Sequence, residues 1–181
     1  MSAPERRLAN RDWWFSRQAL IWREMPDPLH EALSLLPHGP EFRFLDRVLS
    51  LVPGKSAIGE YQVRGDEYYL RGHFPGEPIF PGVLLVEAGA QLAGVVAQND
   101  PAIPPLKGLK LTALRVVKIL GTARPGETVR IEAAVTGRLG GLVQAEASAF
   151  VAGMKVMSAE LALSGTLEGN GDRAPSVTPG E

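Results

Sequence analysis

Cysteine is absent from the 181 residues of this chain, and histidine occurs only three times, as His30, His38 and His73. The lack of thiols excludes disulfides, thiolate catalysis and cysteine-based zinc sites, and three histidines leave little for a histidine-rich metal centre. An excess of either charge is also lacking, because 19 basic and 20 acidic side chains give a formal net charge of -1. Overall charge therefore does not hold this protein to nucleic acid, and no nucleic-acid partner is expected.

Long uninterrupted apolar runs are missing as well. The most apolar region, residues 78–99, is broken by Glu87, Gln91 and Gln98, so no transmembrane segment is expected. The N-terminal stretch mixes charges with apolar residues and lacks the apolar core of a signal peptide. We therefore expect a cytoplasmic protein. A length of 181 residues with 45% hydrophobic residues is typical of one folded domain.

Composition divides the chain into three parts. Residues 1–28 hold all three tryptophans among several arginines, and are predicted to form an amphipathic arm that packs on the domain or on a second subunit. Binding of this arm to a membrane surface is the alternative. Residues 166–181 are rich in glycine and proline without an apolar period, which predicts a disordered tail. The folded domain is expected to span residues 29–165.

Within this domain the hydrophobic pattern predicts an α+β fold. A short helix over 29–36 precedes strands over 42–51 and 57–64, and an almost wholly apolar helix over 83–97 follows a turn rich in glycine and proline. From residue 128 onward apolar and polar residues alternate, with turn residues at 138–141 and 152–153. We therefore expect an antiparallel sheet with one solvated face, wrapped around one buried central helix.

Glu87 is the one charged side chain in the apolar helix. Burying a carboxylate costs several kcal/mol unless it is paired or kept protonated. One interpretation is structural, with Glu87 bonded to a backbone donor or to Gln91, one helical turn further along. The other is functional, with Glu87 as a general acid whose pKa is raised by apolar surroundings.

His73 lies in a stiff loop just before this helix, in the run HFPGEPIFPG. A rigid loop can preorganise a catalytic base, whereas a lone loop histidine is more often an ordinary surface residue. Gly82 stands at the start of the helix, where free backbone N–H groups favour negative charge. Its simpler role is to allow a tight turn. Base, acid and oxyanion donor are thus all present in one segment.

These motifs resemble those of the hotdog-fold 3-hydroxyacyl-acyl carrier protein dehydratases of the FabZ type. The resemblance covers about residues 33–163, and the 14-residue separation of His73 and Glu87 matches the catalytic pair of that family. The related FabA type carries aspartate in place of Glu87. The matching segments are 72–84 (GHFPGEPIFPGVL), 87–91 (EAGAQ), 36–38 (LPH), 46–48 (DRV) and 125–127 (PGE).

The resemblance implies an activity and a set of roles. His73 would remove the C2 proton of a 3-hydroxyacyl thioester, the backbone at Gly82 and Val83 would stabilise the enolate-like oxygen, and protonated Glu87 would release the hydroxyl as water. Neither a metal nor an organic cofactor is implied. An acyl tunnel is also expected. The residues anticipated for its walls and for substrate binding are Phe80, Leu84, Ala88, Gln91 and Leu92. The alternative is that these residues belong to the ordinary core.

Partners also follow from the resemblance. The histidine and carboxylate of one family site come from different subunits, so a homodimer or a larger assembly, such as a trimer of dimers, is expected. The acyl carrier protein would dock on a basic surface, because residues 101–126 contain five basic residues and no acidic one; an ordinary solvated face is the alternative. The basic residues are Lys107, Lys110, Arg115, Lys118 and Arg124. A hotdog acyl thioesterase and a noncatalytic acyl-binding subunit remain alternative functions.

Overall fold

A computed structural model describes residues 28–167 of the chain, and the account below concerns that part. It contains two α-helices, six strands and two short 3₁₀ turns at Pro40–Phe42 and Tyr68–Leu70. The helices are α1 (Pro28–Ser34) and α2 (Gly82–Gln98). The strands are β1 (Arg47–Val52), β2 (Ser56–Gln62), β3 (Lys107–Ile119), β4 (Thr128–Leu139), β5 (Leu142–Val151) and β6 (Met154–Thr166).

All six strands form one antiparallel sheet in the order β1-β2-β4-β5-β6-β3. β1 and β3 are its edges. Helix α2 packs against β2, β3, β4, β5 and β6, so the sheet wraps around it. The predicted α+β architecture with one central helix is confirmed.

Buried and exposed residues alternate along the strands, so one face of the sheet packs against the helix. In β5, buried residues alternate with exposed or half-buried ones along the whole strand. Two-residue turns join β4 to β5 at Gly140-Gly141 and β5 to β6 at Ala152-Gly153, as the turn residues indicated. The solvated outer face and the buried inner face follow directly from this alternation.

Burial of α2 is continuous from Ala88 to Ala97, which explains why its sequence is apolar on almost every side. The helix lies very close to β5, since a Cβ atom built on Gly89 would come within 2.7 Å of the Cβ of Ala147. Glycine at this position therefore sets the distance between helix and sheet.

Several predicted boundaries were wrong. The strand expected over 42–51 begins only at Arg47, because Phe42 ends a 3₁₀ turn and the adjacent Phe44 and Leu45 are both buried, which breaks the alternation. Strand β6 continues to Thr166 and Leu167 packs against the core, so the folded part extends past residue 165.

The predicted arm over residues 1–28 and most of the predicted tail lie outside the described residues, apart from the start of α1 and residues 166–167. No helix within residues 28–167 is long and apolar enough to cross a membrane.

Candidate active site

A cavity of 470 Å³ lies between α2, the segment after α1 and strand β3. Helix α2 presents five residues to it, Glu87, Ala90, Gln91, Gly94 and Gln98. Most of the remaining lining is apolar, with leucines from the segment after α1, from β3 and from β6. An apolar cavity with one carboxylate in its wall is the type of site that binds a mostly apolar ligand with one reactive polar group.

Glu87 is held by two polar neighbours. The side-chain amide of Gln91 donates a hydrogen bond to Glu87 Oε1 at 3.1 Å, and His38 Nε2 lies 3.4 Å from the same oxygen. The Glu87 side chain is 21% exposed. The contact with Gln91 expected from the one-turn spacing is thus present, and the carboxylate faces the cavity rather than being enclosed by apolar atoms.

Gln91 is almost fully buried and has well-defined partners. Its Nε2 also donates to the carbonyl of Phe42 at 2.8 Å, and its Oε1 accepts the backbone N–H of Phe44 at 2.9 Å. These bonds fix the amide against a loop 47 to 49 residues away in sequence. The orientation of Glu87 therefore depends on the segment that precedes β1.

His73 lies in the loop before α2 and has a defined tautomer. Its Nδ1 is 2.9 Å from the carbonyl oxygen of Ile79, which can only accept a hydrogen bond, so Nδ1 carries the proton. In the neutral imidazole, Nε2 is then the nitrogen with the free lone pair and can act as a base. The ring of Phe74 packs edge-on against the His73 ring at 4.6 Å. Phe74 adopts a φ of 56°, a left-handed conformation that costs a non-glycine residue roughly 1–2 kcal/mol.

His73 is not among the residues that line the Glu87 cavity of its own chain within the described part. One chain therefore does not bring the predicted base and the predicted acid to the same cavity wall.

The start of α2 has the features expected of an oxyanion site. The helix begins at Gly82, and the first N–H groups of a helix, here those of Gly82 and Val83, have no acceptor within it. A Cβ atom on Gly82 would come within 2.9 Å of the side chain of Ile119 in β3. Glycine is needed here for the close approach of β3.

One of the five residues predicted for the tunnel wall or for substrate binding lines this cavity, and four do not. Gln91 lines it, but Phe80, Leu84, Ala88 and Leu92 do not. Phe80 is buried among Phe44, Tyr61 and Tyr69 with ring centroids 5.5 to 5.9 Å apart, so its role in this chain is that of a core residue. These four residues do not line the cavity of a single chain, and their place in the wall of an acyl tunnel stays a prediction.

A hydrogen-bonded tyrosine pair supports the loop that carries His73. The hydroxyls of Tyr61 and Tyr69 are 2.9 Å apart, and Tyr61 donates to Glu67 at 3.0 Å. Burial raises the pKa of Tyr61 to about 12. Burial and the bond to Tyr61 likewise raise the pKa of Tyr69 well above its usual value, so both hydroxyls stay neutral.

Glu67 anchors the same loop. Its carboxylate accepts the backbone N–H groups of Arg64 at 2.8 Å and Gly65 at 2.6 Å. Burial alone would raise the pKa of Glu67, but these backbone bonds and the Tyr61 hydroxyl outweigh it and lower that pKa below its usual value. The loop leading to His73 thus begins at a firmly bonded carboxylate.

The five basic residues fall into two groups. Lys107, Lys110, Arg115 and Lys118 lie on the edge strand β3, and Lys110 also lines the cavity. Arg124 lies in the following loop and forms an ion pair with Glu77 of the His73 loop at 2.8 Å. The sequence predicted a basic surface from these positions but did not predict the pairing of Arg124 with Glu77.

His38 was not predicted as a site residue from the sequence. It lies 49 positions before Glu87, in a segment that matches the family motif but was given no role. A histidine just after a short amphipathic helix was the one available indication, and it does not by itself predict a contact with α2.

The chain matches a known protein family and curated enzymes over most of its length. The family model of the FabA-like domain matches residues 36–160. The curated 3-hydroxyacyl-[acyl-carrier-protein] dehydratase FabZ of Chloroflexus aggregans is 37% identical over 133 residues, which are 74% of this chain and 92% of that protein. The FabZ of Geobacter metallireducens is 38% identical over 135 residues, which are 74% of this chain and 89% of that protein.

Solved structures share the fold at much lower identity. The dehydratase heterocomplex ApeI:P from Xenorhabdus doucetiae aligns with a TM-score of 0.63 at 16% identity, over 76% of this chain and 91% of that one. The protein smu.793 from Streptococcus mutans, bound to acetyl CoA, aligns with a TM-score of 0.51 at 14% identity, over 66% and 87%.

A sheet wrapped around one central helix, shared with these structures, defines a hotdog-fold protein. The chain belongs to the FabA-like family, and within it to the 3-hydroxyacyl-acyl carrier protein dehydratases of the FabZ type.

Proposed function

We propose that this protein dehydrates a 3-hydroxyacyl thioester carried by an acyl carrier protein to the trans-2-enoyl thioester, as a step of fatty acid synthesis. The observation that carries the proposal is the apolar cavity with Glu87 in its wall, in a chain whose FabZ relatives match most of its length. The acyl group occupies the cavity and its C3 hydroxyl meets Glu87.

His73 is the base in this reaction. Because Nδ1 is held by the carbonyl of Ile79, Nε2 accepts the C2 proton of the substrate. The electron pair of the C2–H bond moves toward the thioester carbonyl, whose oxygen gains negative charge. The N–H groups of Gly82 and Val83 at the start of α2 are the donors proposed for this oxygen.

Glu87 is the acid. As the C2–C3 double bond forms, the C3–O bond breaks and Glu87 donates its proton to the leaving hydroxyl, which departs as water. The reaction leaves an imidazolium on His73 and a carboxylate on Glu87, so one proton must return to Glu87 before the next turnover.

The complete site is formed by a homodimer in this proposal, because each cavity needs a His73 from a second chain. His73 does not line the cavity of its own chain, and the edge strand β3 exposes an apolar surface beside the start of α2. Pairing of two chains along β3 would cover that surface and give each Glu87 cavity a His73 from the partner subunit. The exposed apolar residues are Leu114, Val116, Val117, Ile119 and Leu120.

The acyl carrier protein is the proposed carrier of the substrate, and it docks beside the cavity. Lys110 already lines the cavity, and further basic residues of β3 and Arg124 extend the positive charge on this edge. Acyl carrier proteins are acidic, so a positive surface would speed their encounter. Localisation in the cytoplasm remains a prediction from the sequence.

Product analysis tests the proposed function. With a 3-hydroxyacyl-carrier substrate, we expect enoyl thioester to form without release of free thiol. His73→Ala and Glu87→Gln should each lower kcat by ~10² or more, since a positioned acid or base contributes roughly 10² to 10⁴. The exposed Glu31→Gln in α1 is the matched control and should retain full activity. Release of free thiol would instead indicate a thioesterase, and no turnover of any acyl thioester would indicate a noncatalytic binding subunit.

A further inference from the structure

His38 is the titratable side chain closest to Glu87 that the proposed reaction does not use. Its Nε2 lies 3.4 Å from Glu87 Oε1, and its side chain is 30% exposed at the cavity wall. The ring stacks on Phe42 with centroids 6.2 Å apart, and the Arg43 guanidinium donates to the His38 carbonyl at 3.3 Å. Phe42 therefore packs against the ring, and Arg43 holds the backbone that carries it.

The two ring nitrogens of His38 differ, because Nε2 lies beside Glu87 and Nδ1 has no hydrogen-bond partner in the described part of the chain. Nδ1 is buried and has no hydrogen-bond partner among the described residues. Nε2 faces the carboxylate, so a proton on either partner can be shared along the Nε2–Oε1 line. Gln91 only donates to Glu87 and cannot take up its proton or supply a new one.

We propose that His38 is a positioning residue that returns the proton to Glu87 after each dehydration. This inference rests on the proposed function. After water leaves, Glu87 is a carboxylate and His73 an imidazolium. His38 takes up a proton at Nε2 from solvent in the cavity and passes it to Glu87 Oε1, while His73 releases the C2 proton to solvent. The cycle then balances, with one proton taken up and one released.

Other charges around His38 are few and belong to three elements. Glu87 faces it from α2, and Lys110 lines the same cavity from β3. Arg43 follows the 3₁₀ turn, and the Glu41 carboxylate within that turn lies beside Gly39. Within the described residues, Glu87 is the group that makes an ion-pair contact with the imidazole.

His38→Ala and His38→Gln test the proposal together. We expect both to lower kcat by about 10²-fold, the lower end for a positioned acid or base. We also expect them to change the pH dependence of kcat. Free imidazole should restore part of the rate of His38→Ala, because it can occupy the vacated space and carry the proton. The matched control is His30→Gln on the exposed face of α1, which should leave kcat and its pH profile unchanged.

Three results would overturn the proposal: unchanged kcat, full activity in His38→Gln, or a loss in His38→Ala that imidazole does not restore. Circular dichroism and the melting temperature show that each variant is folded. If the unsubstituted protein itself forms no enoyl product, the proposed function has failed. If it dehydrates normally and the His38 variants match it, only the role of His38 has failed.

Discussion

At the residue scale, the site depends on how a carboxylate is held in an apolar helix. Glu87 faces a cavity and is contacted by Gln91 and His38, and Gln91 is in turn fixed by the backbone of the segment before β1. Removing the Gln91 amide would leave the buried backbone N–H of Phe44 unpaired, which costs roughly 1–3 kcal/mol, and would remove the donor to the partly buried Phe42 carbonyl. The bond to Gln91 expected under the structural interpretation of Glu87 is therefore present, and the role of Glu87 as a general acid stays a prediction.

Glu67 supports a prediction of pH-dependent stability. Its pKa is lowered in the folded protein, so its stabilising contribution is complete above its usual value of 4.5 and is lost as the pH falls through the lower, folded value. We expect Glu67→Gln to unfold at lower denaturant concentration than the unsubstituted protein at pH 7. The difference should shrink below pH 4.5, where protonation removes the same charge.

Glu31→Gln is the control for this experiment, because Glu31 is exposed on α1 and should show no such difference. A gap between Glu67→Gln and the unsubstituted protein that stays constant down to strongly acid pH would show that the Glu67 charge has no part in anchoring the loop.

At the scale of elements, helix α2 contains two interior glycines with opposite surroundings. A Cβ on Gly89 would come within 2.7 Å of Ala147 in β5, whereas a Cβ on Gly94 would meet Leu109 only at 3.9 Å, across the cavity. Gly89→Ala should therefore lower the free energy of unfolding by about 1–3 kcal/mol through overpacking. Gly94→Ala should leave it unchanged or raise it by up to ~1 kcal/mol, because alanine favours a helix.

Chemical denaturation of the two variants side by side measures this difference. Equal effects of Gly89→Ala and Gly94→Ala would mean that α2 can move away from the sheet, contrary to the packing described here.

The elements that sequence analysis predicted well are those whose pattern is set by burial alone. Helix α2 is apolar all round and β5 alternates strictly, so both follow from the sequence. Strand β3 does not, because three irregularities in its pairing with β6 interrupt the alternation. The start of β1 was wrong because the bonds of Gln91 to Phe42 and Phe44 hold that segment out of the sheet.

Some residues of the candidate site could be predicted from the sequence and one could not. His73 and Glu87 were predicted because an unusual loop and a charge in an apolar helix are visible along the chain. His38 was not, because its contact with Glu87 depends on how the segment between α1 and β1 packs on α2.

At the scale of the whole molecule, one edge of the sheet combines apolar and basic side chains. In β3, Leu114, Val116, Val117 and Ile119 are 40 to 61% exposed, and residues 101–126 contain five basic residues and no acidic one. The two features fit two partners, since a second copy of the chain would cover the apolar surface and an acidic carrier would meet the positive charge.

Charge reversal tests carrier docking. Lys107→Glu combined with Arg124→Glu should raise KM for an acyl-carrier substrate and weaken its salt dependence, while a short thioester mimic is turned over normally. Lys55→Glu is the matched control, because the same charge change then lies in the turn between β1 and β2, at the opposite edge of the sheet.

Since Arg124 also pairs with Glu77, Glu77→Gln should accompany this series. If Glu77→Gln alone reproduces the rise in KM, the effect belongs to the His73 loop. An equal rise in KM for the mimic would likewise argue against docking at these residues.

The most direct test of a dehydratase site shared by two subunits is a heterodimer of His73→Ala with Glu87→Gln, co-expressed with different affinity tags and purified through both. Each parent homodimer lacks one member of the pair at every site. In the heterodimer, one site combines the intact His73 of one chain with the intact Glu87 of the other. The account predicts enoyl thioester formation well above that of either parent, and a heterodimer as inactive as both parents would contradict it.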